Sequence, residues 1–486
     1  MRPQPFGKKN KSAPAPKTPT EFLEAGISEE DGGDRWISSG DVPKGVRFYQ
    51  RAYRLYKRAI ELVNDNQQQL HQDNGLEIRN DAIYNICRMQ FVVYMQVVKT
   101  DLLDEIASKL EPEPGHDSVI VKDIAAIASA HEQAVNMAGG PHVCPIDLVY
   151  NYAQVLVEAG ERAHEDGNGL EAVQLFASAG DVFKVVVERQ VTQLLELEQQ
   201  SAGDLKQGAD DGDNKNNNND DSDNAGDDPE PQDSRGMNFG PAALIDTLVT
   251  NSHCLVSYLS VTPEKEQVSS VLQAHIGKLG EALDKYLERG EIHSGQADEA
   301  RIAAASALSA ITMARSQAQQ QSPSAQVESI NKMWALEELP NSPARYMAQA
   351  DAFIELADSF ENGADGQAWK ALTNASGALQ QGLNTNPVTV DAVNTCRLWN
   401  AKGDVEWMRR KLAPVDPSAQ RNELTLLSNS KVYYTNAVNV QSLNVTQELR
   451  ELKEEATVKL KILNGETPEG RIARRVVAHL QDEGLI

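Results

Sequence analysis

Aromatic side chains make up only 5% of this sequence, and its four cysteines never fall into a short-spaced pair. The second scarcity speaks against a CxxC zinc or redox site, because Cys87, Cys144, Cys254 and Cys396 stand far apart. His142 near Cys144 and His253 beside Cys254 have no further ligands close by, so no metal or cofactor is expected and the thiols read as reduced core residues. Long apolar runs are also missing. No stretch of about 18 apolar residues occurs, which argues against a membrane span, and no apolar core follows the N-terminal charges, which argues against a secretion signal. A reducing compartment is the expectation, cytoplasmic, with Lys8, Lys9 and Lys11 as a weak signal for the nucleus as well.

Catalytic signatures are equally thin. His131-Glu132 has no second histidine at the metallohydrolase spacing, no GK[ST] loop is present, and Gly277-Lys278-Leu279-Gly280 falls inside a helical pattern. The reading is therefore not an enzyme. What the sequence has in quantity is Ala, Leu, Val and Gln in helical periodicity, over 486 residues carrying a net charge of −25. A field of that sign repels nucleic acid and anionic membranes and favours a protein or peptide partner with basic character.

Composition divides the chain. Residues 1–20 form a Pro- and Lys-punctuated tail expected to be disordered; residues 21–200 and 237–486 carry helical patterns; residues 201–236 form an Asp/Asn-rich insertion, also expected to be disordered. From Asp204 to Asp233 there are eleven acidic residues against two lysines. That insertion reads either as a solvated linker or as a charged lure for a basic client. Helices are expected at 21–38, 43–64, 75–110, 118–138, 145–165 and 170–198, then at 241–261, 263–289, 297–319, 325–339, 343–361, 366–382, 388–401, 405–412, 417–438, 445–463 and 468–482. Gly, Asn, Asp and Pro turns separate them, including Lys402-Gly403-Asp404.

Two segments share an internal spacing. Gly33, Trp36, Gly40, Gly45, Tyr49 and Ala52 in the first correspond to Gly160, Gly167, Ala172, Phe176 and Ala179 in the second, through common steps of 7, 5, 4 and 3 residues. Weaker echoes follow at Gly363, Ala368, Leu372 and Ala375, and at Trp399, Gly403-Asp404 and Trp407. This pattern resembles the tetratricopeptide repeat, a helix-turn-helix unit in which small residues let two helices approach and an aromatic fills the groove. The family's terminal proline is missing after the first two units. The resemblance implies an all-α, right-handed superhelix of antiparallel helix pairs with a concave binding face, used as a protein-interaction scaffold or client-specific chaperone. Where some members of the family clamp a partner's terminal carboxylate, this chain has Glu30, Asp34, Val157, Glu161, Phe353 and Ala357, a set that speaks against that ligand.

One basic stretch stands out. Six cations lie between Lys44 and Arg58, and Arg47, Arg51, Arg54 and Arg58 recur on one helix face beside the packed face of Tyr49, Ala52, Tyr53, Tyr56 and Ala59. Such a row reads as a solvated flank, or as a forked grip on acidic peptide or on the chain's own acidic insertion. The rival function, a subunit of an RNA-processing or translation-related complex, would contact RNA through helix 43–62. Four of the five tryptophans, Trp334, Trp369, Trp399 and Trp407, are expected in the core, and the final amphipathic helix, with Ile472, Val476, Val477 and Leu480 on one side, is expected to cap the array.

Overall fold

Small residues where helices meet set the architecture. The computed structural model describes residues 15–65, 75–110, 120–207, 240–360, 366–385, 391–443, 445–482 and 484–486. Among these the chain is helical, with no strand, and it divides into two compact units, Met1–Cys144 and Pro145–Ile486. Most of the acidic insertion and most of the N-terminal tail lie outside the described residues.

The first unit opens with α1 (Pro19–Ser38), whose start is fixed by a capping box: the Thr18 hydroxyl accepts from the Glu21 N–H, and the Glu21 carboxylate accepts from the Thr18 N–H. Helix α2 (Val42–Asp65) returns along it. At the turn Gly40 takes a φ of 87°, and the N–H groups of Gly40 and Asp41 donate to the carbonyls of Ile37 and Trp36. Gly33 faces Tyr49, and Gly26, two turns earlier, faces Tyr56, two turns later, which is antiparallel register. A Cβ on either glycine would lie 2.5 Å from the tyrosine ring, so the backbone approaches a distance no other residue permits.

The expectation of one helix from Gly75 to Leu110 is corrected. Helix α3 (Gly75–Val93) runs into a π-helical turn at Tyr94–Val98, the chain breaks at Asp101 with φ of 55°, and a short α4 (Leu103–Ile106) and a 3-10 turn (Ala107–Lys109) follow. Helix α5 (Ile124–Met137) completes the unit, packing on α3.

The second unit holds α6 (Ile146–Glu165), α7 (Gly169–Gln207), α8 (Pro241–Val261), α9 (Lys265–Glu288), α10 (Ser294–Ala318) and α11 (Pro323–Trp334). It continues with α12 (Pro343–Asp358), α13 (Gln367–Leu383), α14 (Ala392–Lys411), α15 (Pro417–Val438), α16 (Gln447–Leu463) and α17 (Arg471–Asp482). The α6–α7 turn repeats the α1–α2 turn, with Gly167 at φ of 78° and the N–H groups of Gly167 and Asn168 bonded to the carbonyls of His164 and Ala163. Gly160 lies against Phe176, again sixteen positions on, as Gly33 does against Tyr49.

Lys402-Gly403-Asp404 is not a turn, contrary to the sequence reading: it lies in the middle of the continuous α14. A Cβ on Gly403 would stand 2.4 Å from Tyr434 Cε1 of α15, so the glycine answers a distant ring rather than a chain reversal. Trp334 and Trp407 are core residues, whereas Trp369 and Trp399 are only half-buried. At the C-terminus Ile472, Ala473, Val476 and Leu480 of α17 are buried in one cluster with residues of α14, α15 and α16.

Even-numbered helices of this unit form one layer. Each of α8, α10, α12 and α14 touches the next even helix, while the odd helices back them, and among the odd ones only α11 and α13 pack together to any comparable extent. In a curved stack of helix pairs the helices in mutual contact lie on the inside, which makes the even layer the candidate inner wall of this unit.

Candidate protein-binding surfaces

On α12, Tyr346, Ala350, Phe353 and Ala357 point into the core shared with α13. The opposite arc presents Asp351, Glu355 and Asp358 at spacings of four and three, all exposed. Asp351 is accessible, yet the surrounding walls strip enough water from it that desolvation raises its carboxyl to about 6. Glu355 is raised for the same reason first, and then by repulsion from Asp351 and Asp358. Neither Asp351 nor Glu355 has a hydrogen bond or an ion pair among the described residues. His253 of α8 is likewise exposed, and desolvation lowers its pKa against the opposing pull of Glu299 on α10. The missed signal was available in sequence as the 351, 355, 358 spacing; its side of the unit was not.

The basic row of α2 has a different environment. Arg51 Nε donates to Glu29 Oε2 of α1 at 2.8 Å, and its guanidinium lies 4.2 Å from the centre of the Phe48 ring. Arg47 Nη1 donates to the Lys109 carbonyl at 3.3 Å, and Arg58 Nη1 pairs with Glu61 at 3.0 Å. Arg54 is exposed on the same flank, and Lys44 Nζ sits 3.1 Å over the Trp36 ring. Part of this positive charge is therefore spent on α1, α2 and the turn after α4. Of the spaced small and aromatic residues, Gly33, Gly45, Tyr49, Ala52, Gly160, Ala172, Phe176 and Ala179 are buried between helix pairs, and Trp36 is half-buried at the α1–α2 turn.

A motif invisible to spacing alone recurs within each unit. In the first, Tyr49 lies on Gly33 and its hydroxyl donates to the adjacent Asp34. In the second, Tyr434 lies on Gly403 and donates to the adjacent Asp404 at 2.7 Å. Asp404 also takes Lys459 of α16 at 2.8 Å, which Glu455 holds from the other side at 2.6 Å. Burial alone would drive the Lys459 proton off; the two carboxylates outweigh it and raise its pKa. The cluster ties α14 to both α15 and α16.

No family model matches this chain, and no curated protein does either. Solved structures that align with it include the S. pombe nuclear import adaptor Nro1, at 10% identity and a TM-score of 0.28, covering 90% of this chain and 99% of that one. A second Nro1 structure, described as the hypoxic regulator of sterol synthesis and a nuclear import adaptor, aligns at 10% identity and a TM-score of 0.28, over 90% and 93% of the two chains. A circular tandem repeat protein with a novel repeat topology aligns at 12% identity and a TM-score of 0.26, over 96% and 99%. At such scores two chains need not share a fold. No described helix is long and apolar enough to cross a membrane.

Proposed function

We infer that this chain is a tetratricopeptide-like interaction scaffold whose second unit takes a basic polypeptide segment along its inner wall. The observation that carries the reading is the even-helix layer: five helices in succession, α8 to α16, with no described helix packed across their far side and an acidic stripe on α12 turned outward there. The recurring approach of Gly33 to Tyr49 and Gly160 to Phe176, at the same turn geometry, supports the repeat assignment. A net charge of −25 supports the basic partner by long-range attraction. The RNA-contacting alternative loses ground because Arg47, Arg51 and Arg58 are already engaged within the chain.

A photo-crosslinking residue placed at Asp351 or Glu355 tests the reading against the same residue at Leu424, an exposed position of α15 in the odd layer. Crosslinks to lysine- and arginine-rich segments from the inner positions and not from Leu424 are the expected result. Equal capture from both sides would show that the wall has no binding role.

A further inference from the structure

A second surface differs in kind. Where the first half of α14 runs beside the end of α15, an open groove of about 490 Å³ is lined by Ala392, Thr395 and Trp399 on one side and by Asn436, Asn439 and Val440 on the other, with Gln441 beyond. None of these residues is charged. Trp399 is stacked on Tyr433 at 5.6 Å between ring centres and 26° between planes, and the Lys402 ammonium lies 5.0 Å from the centre of the Tyr433 ring. The indole is thus held before any ligand arrives, which lowers the entropy cost of using it. Its N–H and the side-chain amides of Asn436 and Asn439 make no hydrogen bond among the described residues. The Thr395 hydroxyl donates to the Asp391 carbonyl and keeps its acceptor capacity.

We propose that this groove docks an extended, uncharged segment of a partner polypeptide, with an aliphatic or aromatic side chain over Trp399 and backbone amides bonded to Asn436 and Asn439. Paired donors and acceptors on neutral side chains match the alternating N–H and C=O of a peptide, and the groove is open to solvent. With no charged residue in the lining, a charged side chain entering the groove would lose water without gaining an opposite charge, so a neutral occupant is favoured. Ala392 and Val440 supply the apolar walls around the indole.

The test uses the full chain and immobilised synthetic peptides of matched length and apolar content in three sets: neutral, lysine-rich and aspartate-rich. The neutral set should retain the protein with little dependence on salt. Trp399→Ala should weaken that retention about thirtyfold, as truncation of a central aromatic anchor does. Trp399→Phe preserves the stack on Tyr433 but removes the indole donor, and the double change Asn436→Ala with Asn439→Ala removes the amides; each should cost several-fold. These two variants decide the matter if Trp399→Ala melts early. Unchanged neutral-peptide retention in either of them, or retention by charged sets alone, would overturn the proposal. Asp351→Asn and Glu355→Gln should leave the neutral set unaffected, so failure of the inner-wall reading and failure of this one are separable.

Discussion

A methyl group on Gly403 would stand 2.4 Å from Tyr434 Cε1 and 2.7 Å from Cδ1, in a buried contact where the ring is also tied to Asp404 through its hydroxyl. Neither partner has room to withdraw without breaking that hydrogen bond. Gly403→Ala should therefore destabilise the protein by about 1–3 kcal/mol, the usual cost of overpacking. Gly277, an exposed position of α9, has nothing within 4 Å of its would-be Cβ and an ordinary helical backbone. There the same substitution should stabilise by about 0.5–1 kcal/mol, through lost freedom of the unfolded chain. Denaturant titration of the two variants gives shifts of opposite sign, and a neutral Gly403→Ala would mean that Tyr434 is not clamped. Residue-level chemistry explains why Gly403 misled the sequence reading: Gly-Asp is a turn signal locally, and the tyrosine that makes the glycine necessary lies on the next helix.

Helices themselves were mostly legible, because caps and breakers act locally. Prolines open α8, α12 and α15 at Pro241, Pro343 and Pro417, where the expected helices begin. The break after α3 was not legible, since no proline or glycine marks Tyr94–Val98 or Asp101. The inner-wall stripe of α12 was half legible: periodicity groups Asp351, Glu355 and Asp358, but only packing on α13 decides which way they face. That placement has a pH consequence. Asp351 titrates near 6 in the fold against an ordinary value of 3.8, so the folded state holds its proton more tightly than the unfolded chain does. Stability from this group is present at low pH and declines as pH rises from about 4 through 6. Asp351→Asn removes the charge penalty, so it should raise the melting temperature at pH 7.5 and have little effect at pH 4. Solvent access limits the gain to about 1 kcal/mol or less. A melting temperature that rises equally at both pH values would show that the carboxyl is not desolvated.

At the scale of the whole molecule the dominant quantity is charge. Between Asp204 and Asp233 eleven acidic residues face two lysines, so that stretch supplies nine of the net −25. Attraction of this kind acts before contact, accelerates encounter and is screened within about 8–10 Å at physiological salt. A lysine-rich synthetic peptide should therefore associate more slowly as ionic strength rises, with dissociation nearly constant. Deleting residues 208–239 removes ten acidic and two basic residues, leaving the inner wall intact. The deletion should lower the association rate several-fold at low salt and hardly at all at high salt. Stopped-flow measurement separates two physical roles for the segment. A change confined to association marks it as a source of field, whereas faster dissociation means that it touches the bound peptide, and the inner wall would then supply only part of the grip.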